Sequence, residues 1–220
     1  GVNDRLGKTG DTSSIMDYDP DEVQRGSSVN ASVAFYEWDK KKINLIDTPG
    51  DSNFIADTPA SLRVVDGAVI VISAVDGIQF YTEKVWKWAT EQSIPKIIFI
   101  NKVDQEQANI ASVLESIKRK FNANPLCVHV PIGDGENFSG VVDVLTNKSY
   151  IYQKDGSGKN KVDVIPGAMV EEVKSTFAEF TESVAEVDDE LTENYLENGE
   201  LSEQEFSIGL KKGLKEGKLL

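Results

Sequence analysis

The 220-residue sequence contains a single cysteine, so no disulfide framework can form and a cysteine-built metal cluster is excluded. One free thiol fits a reducing compartment. Long apolar runs are missing as well. The longest, Gly67–Ala74 and Lys96–Ile100, fall well short of the ~20 residues needed to span a bilayer. No charged-then-apolar leader opens the chain. A basic excess is also absent: 23 Lys and Arg stand against 37 Asp and Glu, a formal charge of −14. Such a chain lacks the footprint of a protein that grips nucleic acid by its phosphates. A nucleoprotein partner would be touched through its protein or through a small patch. No Met opens the sequence and its last residues stop inside a patterned element, so a piece of a longer protein is expected.

What is present is an ordinary globular balance, 40% hydrophobic and 27% charged, with enough chain for one large domain or two small ones. The acids are unevenly spread. From Glu171 to Glu205 there are thirteen acids against one base, Lys174, so the rest of the chain is close to neutral. This stretch reads as a solvated helix face, or as a docking surface for a basic partner.

The first half alternates strand-like and helix-like segments, the pattern of a mostly parallel sheet with crossover helices. Ser32–Trp38 and Lys42–Ile46 flank a turn at 39–41 and read as a hairpin. Gly67–Ser73 and Lys96–Ile100 are β-branched runs expected to be buried on both faces. Between them Val85, Trp86 and Ala89 recur at helical spacing over 82–92, which leaves Trp88 partly exposed. Residues 109–121 form another amphipathic helix and 126–132 another strand. Beyond Pro131 the composition shifts. Short strands are expected at 138–143, 148–153 and 161–164, then a helix over 167–187. Ser202 and Glu205 form a capping box for a final helix to Glu216. The second half is thus a small α+β unit. His129 and Cys127 have no partner at metal-ligand spacing and read as packed strand residues.

Two loops carry chemistry. Asp47-Thr48-Pro49-Gly50 follows a strand directly, and the carboxyl edge of such a sheet is where these folds bind ligands. Asp47 there can hold Mg²⁺, usually through water, and Gly50 can offer its N–H to a terminal phosphate. As a bare tetrapeptide it is equally a Pro-Gly turn. Asn101-Lys102-Val103-Asp104 follows the run Lys96–Ile100 without a gap. Asp104 can accept from the N1–H and the exocyclic amine of guanine, a donor pair adenine lacks. Asn101 would fix the loop and meet the base, and the Lys102 stem would cover the ring. The two loops together, each at the end of a strand, point to a guanine nucleotide.

On these residues the chain resembles the nucleotide domain of translational GTPases, most closely elongation factor G. The likeness runs through IDTPGDSNF (46–54), RVVDGAVIVISAVDGIQ (63–79), IPKIIFINKVD (94–104), ENFSGVVDVL (136–145) and IPGAMVE (165–171). The last two look like the extra subdomain elongation factor G inserts in its nucleotide domain. The resemblance implies a P-loop-type α/β GTPase fold with a GTP-binding domain over 1–132. An inserted acidic α+β subdomain would occupy 133–220, returning toward the first at its C-terminus. It implies GTP, GDP and Mg²⁺ as ligands, with Asp47, Thr48, Pro49, Gly50, Asn101, Lys102, Val103 and Asp104 as nucleotide-binding residues. EVQRGSS (22–28) resembles the first switch, which places Ser28 with Asp47 on the metal. The implied setting is cytoplasmic. The chain would be a monomer that meets the ribosome and its large-subunit stalk protein, through the acidic insert, and has no membrane partner.

Three departures accompany the resemblance. The Gly-rich phosphate loop is not in this sequence; Gly7-Lys8-Thr9 imitates its end without the earlier glycine or a preceding strand, and the true loop is expected upstream. The family's closing Ser-Ala motif is expected beyond Leu220. Where the family has a His that orients the attacking water, this chain has Asp51, an ionised group that repels developing phosphoryl charge more than imidazole does. The resemblance implies GTP hydrolysis coupled to translocation or recycling, and Asp51 implies that stimulated hydrolysis is slower than in factors with the His. The alternatives are a GTP-dependent ribosome-binding module with vestigial hydrolysis, and an interaction domain that has lost the nucleotide.

Overall fold

A computed structural model describes residues 14–153, 155 and 157–220. Gly7-Lys8-Thr9 lies outside the described residues. A short helix α1 (Pro20–Arg25) opens the described chain, and a hairpin of β1 (Ser32–Trp38) and β2 (Lys41–Asp47) follows. Trp38 pairs with Lys41, so the loop is the two residues Asp39 and Lys40. Both have positive φ, 46° and 60°, the backbone a tight antiparallel hairpin requires.

After a single 3-10 turn at Ser52–Phe54 and the short helix α2 (Asp57–Ser61), β3 (Ala68–Ser73) runs parallel to β4 (Lys96–Asn101). The crossover is α3 (Phe80–Glu91), and α4 (Ile110–Phe121) follows β4. Ile70, Ile72, Ile98 and Ile100 point to one face, where they meet Val85 and Trp86 of α3 and Val113 and Ile117 of α4. Trp86 stacks on Phe121 with ring centroids 4.2 Å apart. Trp88, two residues on, is half-exposed as the spacing predicts.

The other face differs from the sequence expectation. Val69 is 62% exposed and Ile97 58%, and Val71 and Phe99 are similarly open. Both helices pack on the same side, and no described element covers the opposite one. β-Branched runs therefore announced strands correctly and burial on both faces wrongly. β3 and β4 are also the only parallel pair among the described residues, and they form a sheet separate from the β1–β2 hairpin. The described pairing is thus mixed rather than mostly parallel.

β5 (His129–Ile132), β6 (Gly140–Asp143), β7 (Lys148–Tyr152) and β8 (Asn160–Asp163) make a four-stranded antiparallel sheet in sequence order. β5, which the alternating pattern grouped with the first half, pairs with β6 instead. Val130 and Val142 face inward against Val173 of α5 (Val170–Ala185). By strand alternation His129 points outward, and it is exposed rather than packed; Cys127 precedes the strand and is half-buried.

Helix α6 (Asp189–Asn198), capped by Asp188, went unread because its apolar positions are few. α7 (Glu203–Glu216) starts at the expected Ser202–Glu205 capping box and packs on α5 through Phe180, Val184, Phe206 and Leu210. Gly209 makes that packing possible. A Cβ there would sit 2.7 Å from Val184 Cγ1 and 2.8 Å from Leu191 Cδ1, so only glycine lets the helices approach this closely. At the chain's end Leu220 packs on the β3–β4 core, and its carbonyl accepts from Leu126 N–H at 2.8 Å.

Candidate functional site

The segment 17–30 is organised by one carboxylate. Asp19 caps α1, its side chain accepting from Asp21 N–H at 2.9 Å, and Pro20 sits at the first helical position where its missing N–H costs nothing. Glu22, at the third helical position, completes the capping box by accepting Asp19 N–H at 3.1 Å. Its other oxygen takes Val29 N–H at 2.9 Å and Asn30 N–H at 3.0 Å across the loop. Glu22 is only 1% exposed, and these backbone bonds hold its carboxyl below the ordinary glutamate value. One buried anion thus closes the loop that carries Ser28. The Ser28 hydroxyl donates to Asp17 Oδ1 at 2.7 Å.

Asp47 ends β2 and is half-buried. Burial pushes its carboxyl up, the negative charges of Asp17 and Glu22 add to this, and Thr48 N–H opposes it. The structure therefore brings Ser28, Asp17 and Asp47 into one electrostatic neighbourhood. Pro49 is buried and Gly50 exposed, and a Cβ on Gly50 would meet nothing within 4 Å. Local crowding does not demand glycine there.

Asp51 caps the turn that follows. Its Oδ1 takes Asn53 N–H at 2.8 Å, Asn53 Nδ2 at 3.0 Å and Ser52 Oγ at 3.3 Å. These donors, the backbone one first, hold the carboxyl below the usual aspartate range. Arg25 of α1 lies 5.2 Å over the ring of Phe54, and Asp57 Oδ2 accepts Ala31 N–H at 3.2 Å. The segments around Ser28 and Asp51 thus touch each other.

Asn101 closes β4 opposite Ser73. Its Oδ1 accepts Lys102 N–H at 2.9 Å, and Lys102 takes a left-handed φ of 61°, which turns the chain sharply off the strand. Gln105 N–H bonds back to Lys102 carbonyl at 3.2 Å, so Val103 and Asp104 ride on a closed turn. Asn101, Lys102 and Asp104 are all exposed. No hydrogen bond or ion pair among the described residues joins this loop to Ser28 or Asp47.

The donors suit the ligand the sequence implies. Magnesium takes hard oxygens, keeps several waters and shares phosphate oxygens, so it needs few protein ligands. Asp47 and Ser28 are of that type. The described residues hold no cluster of three or more His, Cys, Asp or Glu that would cage a metal unaided.

An α/β domain with polar loops at the ends of its strands, where such folds bind ligands, is the class that this geometry defines. The chain belongs to the family of the elongation factor Tu GTP-binding domain, whose model matches residues 2–216. The resemblance to translational GTPases therefore stands, and the fold is that of an α/β P-loop GTPase. Among solved structures it is similar to a crystal structure from Thermus thermophilus, at a TM-score of 0.89 and 25% identity. The match covers 99% of this chain and 32% of that one, so the chain spans about a third of that protein's length.

Three residues of this region escaped the sequence reading: Asp17, which holds Ser28; Glu22, which closes the loop; and Asp76, which faces Lys102. Glu22 was within reach, because Asp19 followed three residues later by Glu is a capping-box signature. Asp17 and Asp76 had no such local signal.

Proposed function

We propose that this is the guanine-nucleotide domain of an elongation factor G-like translation factor, binding GTP–Mg²⁺ and coupling its hydrolysis to ribosome translocation or recycling. The observation that carries the reading is the Asn101–Asp104 turn set directly on the end of a parallel strand, in a chain of the GTP-binding family. Asp104 reads the guanine edge, Lys102 covers the ring, and Asn101 braces the turn through its bond to Lys102 N–H. Asp47 and Ser28 hold the ion, and Gly50 meets the terminal phosphate. When bound, Mg²⁺ supplies charge neutralisation at the phosphates. Residues 133–220 form the inserted subdomain. Its exposed acids on α5 and α6 offer the ribosomal stalk protein a surface, and a monomer working in the cytoplasm fits this role. Among the described residues no helix is long and apolar enough to cross a membrane.

The test is base selection by the full-length protein. Asp104→Asn should shift preference from GDP toward xanthosine diphosphate, since the amide donates where the carboxylate accepted. An unchanged preference would remove the assignment.

A second reading, GTP-gated ribosome binding with weak hydrolysis, is favoured by the geometry of Asp51. That carboxylate is engaged as a turn cap and held ionised, which makes it a poor acceptor for a proton from water. Asp51→His should then raise ribosome-stimulated turnover of the full-length protein. A wild type as fast or faster than the variant would retire this reading.

A further inference from the structure

We propose that Asp76 is a positioning residue for the guanine base, holding the Lys102 ammonium so that the lysine stem is set as one wall of the base slot before nucleotide arrives. The proposal rests on the guanine-binding reading above and adds a residue outside both sequence motifs.

The geometry begins at the end of β3. Ser73 pairs with Asn101 in the parallel register, and Ala74 N–H bonds to Asn101 carbonyl at 2.8 Å, so the loop after β3 is tied to the residue that opens the Asn101–Asp104 turn. The same loop is closed on itself. Gly77 N–H reaches Ser73 carbonyl at 2.9 Å, made possible by the positive φ of 67° at Gly77. It is closed again on α4, because Asn109 N–H bonds to Ala74 carbonyl at 2.9 Å.

Within this loop Ser73 fixes the carboxylate. Its Oγ donates to Asp76 Oδ2 at 2.7 Å and accepts the N–H groups of Val75 and Asp76 at 3.2 Å and 3.1 Å. The Ser73 bond and the nearby lysine hold Asp76 below the usual aspartate range, so it stays charged at neutral pH. Lys102 Nζ lies 3.5 Å from the same Oδ2. Lysine has four stem torsions and a costly freedom to lose on ordering. A carboxylate already fixed on a rigid loop removes part of that cost in advance, which is how preorganisation raises affinity. Asp76 does this without touching the nucleotide.

The experiment uses the full-length protein and a fluorescent GDP, with dissociation rates for wild type, Asp76→Asn, Lys102→Ala and the double variant. The pair is half-exposed, so Asp76→Asn should speed GDP release by about two- to five-fold, the range of such pairs. In the Lys102→Ala background the same change should do nothing, and thermal midpoints should be unaltered by Asp76→Asn. A merely structural role would speed release equally in both backgrounds, and that result overturns the proposal. So does an Asp76→Asn variant that releases GDP at the wild-type rate, while leaving the guanine reading intact. A wild type that binds no GDP sinks both.

Discussion

Removal of Glu22 should open the segment that presents Ser28. Three backbone N–H groups, those of Asp19, Val29 and Asn30, end on this one carboxylate. Hydrogen bonds to a charged group contribute ~1.5–3 kcal/mol each. Water can reach the freed groups in this exposed loop, so the three are not additive, and we place Glu22→Ala at about 2–4 kcal/mol of local stability. At ~1.4 kcal/mol per tenfold, amide exchange at Val29 and Asn30 should accelerate roughly 30- to 1,000-fold. Glu22→Gln separates the contributions. Its carbonyl can still accept Val29 and Asn30 while its NH₂ opposes the Asp19 donor, so it should fall between wild type and alanine.

The pH dependence follows from the same bonds. Glu22 has its folded value below the ordinary 4.5, so its contribution is complete above that value. It is lost as pH falls through the lower, folded value. Wild type and Glu22→Ala should therefore converge in acid, once exchange rates are corrected for their intrinsic pH dependence. Hydrogen exchange at neutral pH and along an acid series reads all of this. Equal protection of Val29 and Asn30 in wild type and Glu22→Ala would refute the reasoning, and so would a glutamine variant as open as the alanine one.

Two further changes test the packing. The Thr58 hydroxyl is buried with no hydrogen-bond partner among the described residues, so the near-isosteric Thr58→Val should stabilise by about 1 kcal/mol, seen as a higher denaturant midpoint. Gly140→Ala drives a methyl into the Tyr150 carbonyl between β6 and β7 and should cost about 1–3 kcal/mol or more in the same unfolding assay.

The candidate site was legible where its signal is local. Both motif loops stand where the strands end, because a β-branched run stops at a polar turn whatever lies around it. The Ser202–Glu205 box likewise lies within one helical turn and was read correctly. Other features are relations between distant residues. Ser28 meets Asp17 eleven residues away, and Lys102 meets Asp76 only because β3 and β4 pair in one particular register.

By itself, then, the sequence determined most of the strands and the longer helices (though not α6), the capping box that opens α7, and the two polar loops that end β2 and β4. Periodicity, caps and turn residues act over a few positions and need no partner. Only the tertiary structure decided that α3 and α4 share one face of the β3–β4 pair and leave Val69, Val71, Ile97 and Phe99 open. It also decided that β5 joins β6 and turns His129 outward. An apolar strand reads the same whether one face or two are covered, because its composition records the need for burial and not the element that supplies it.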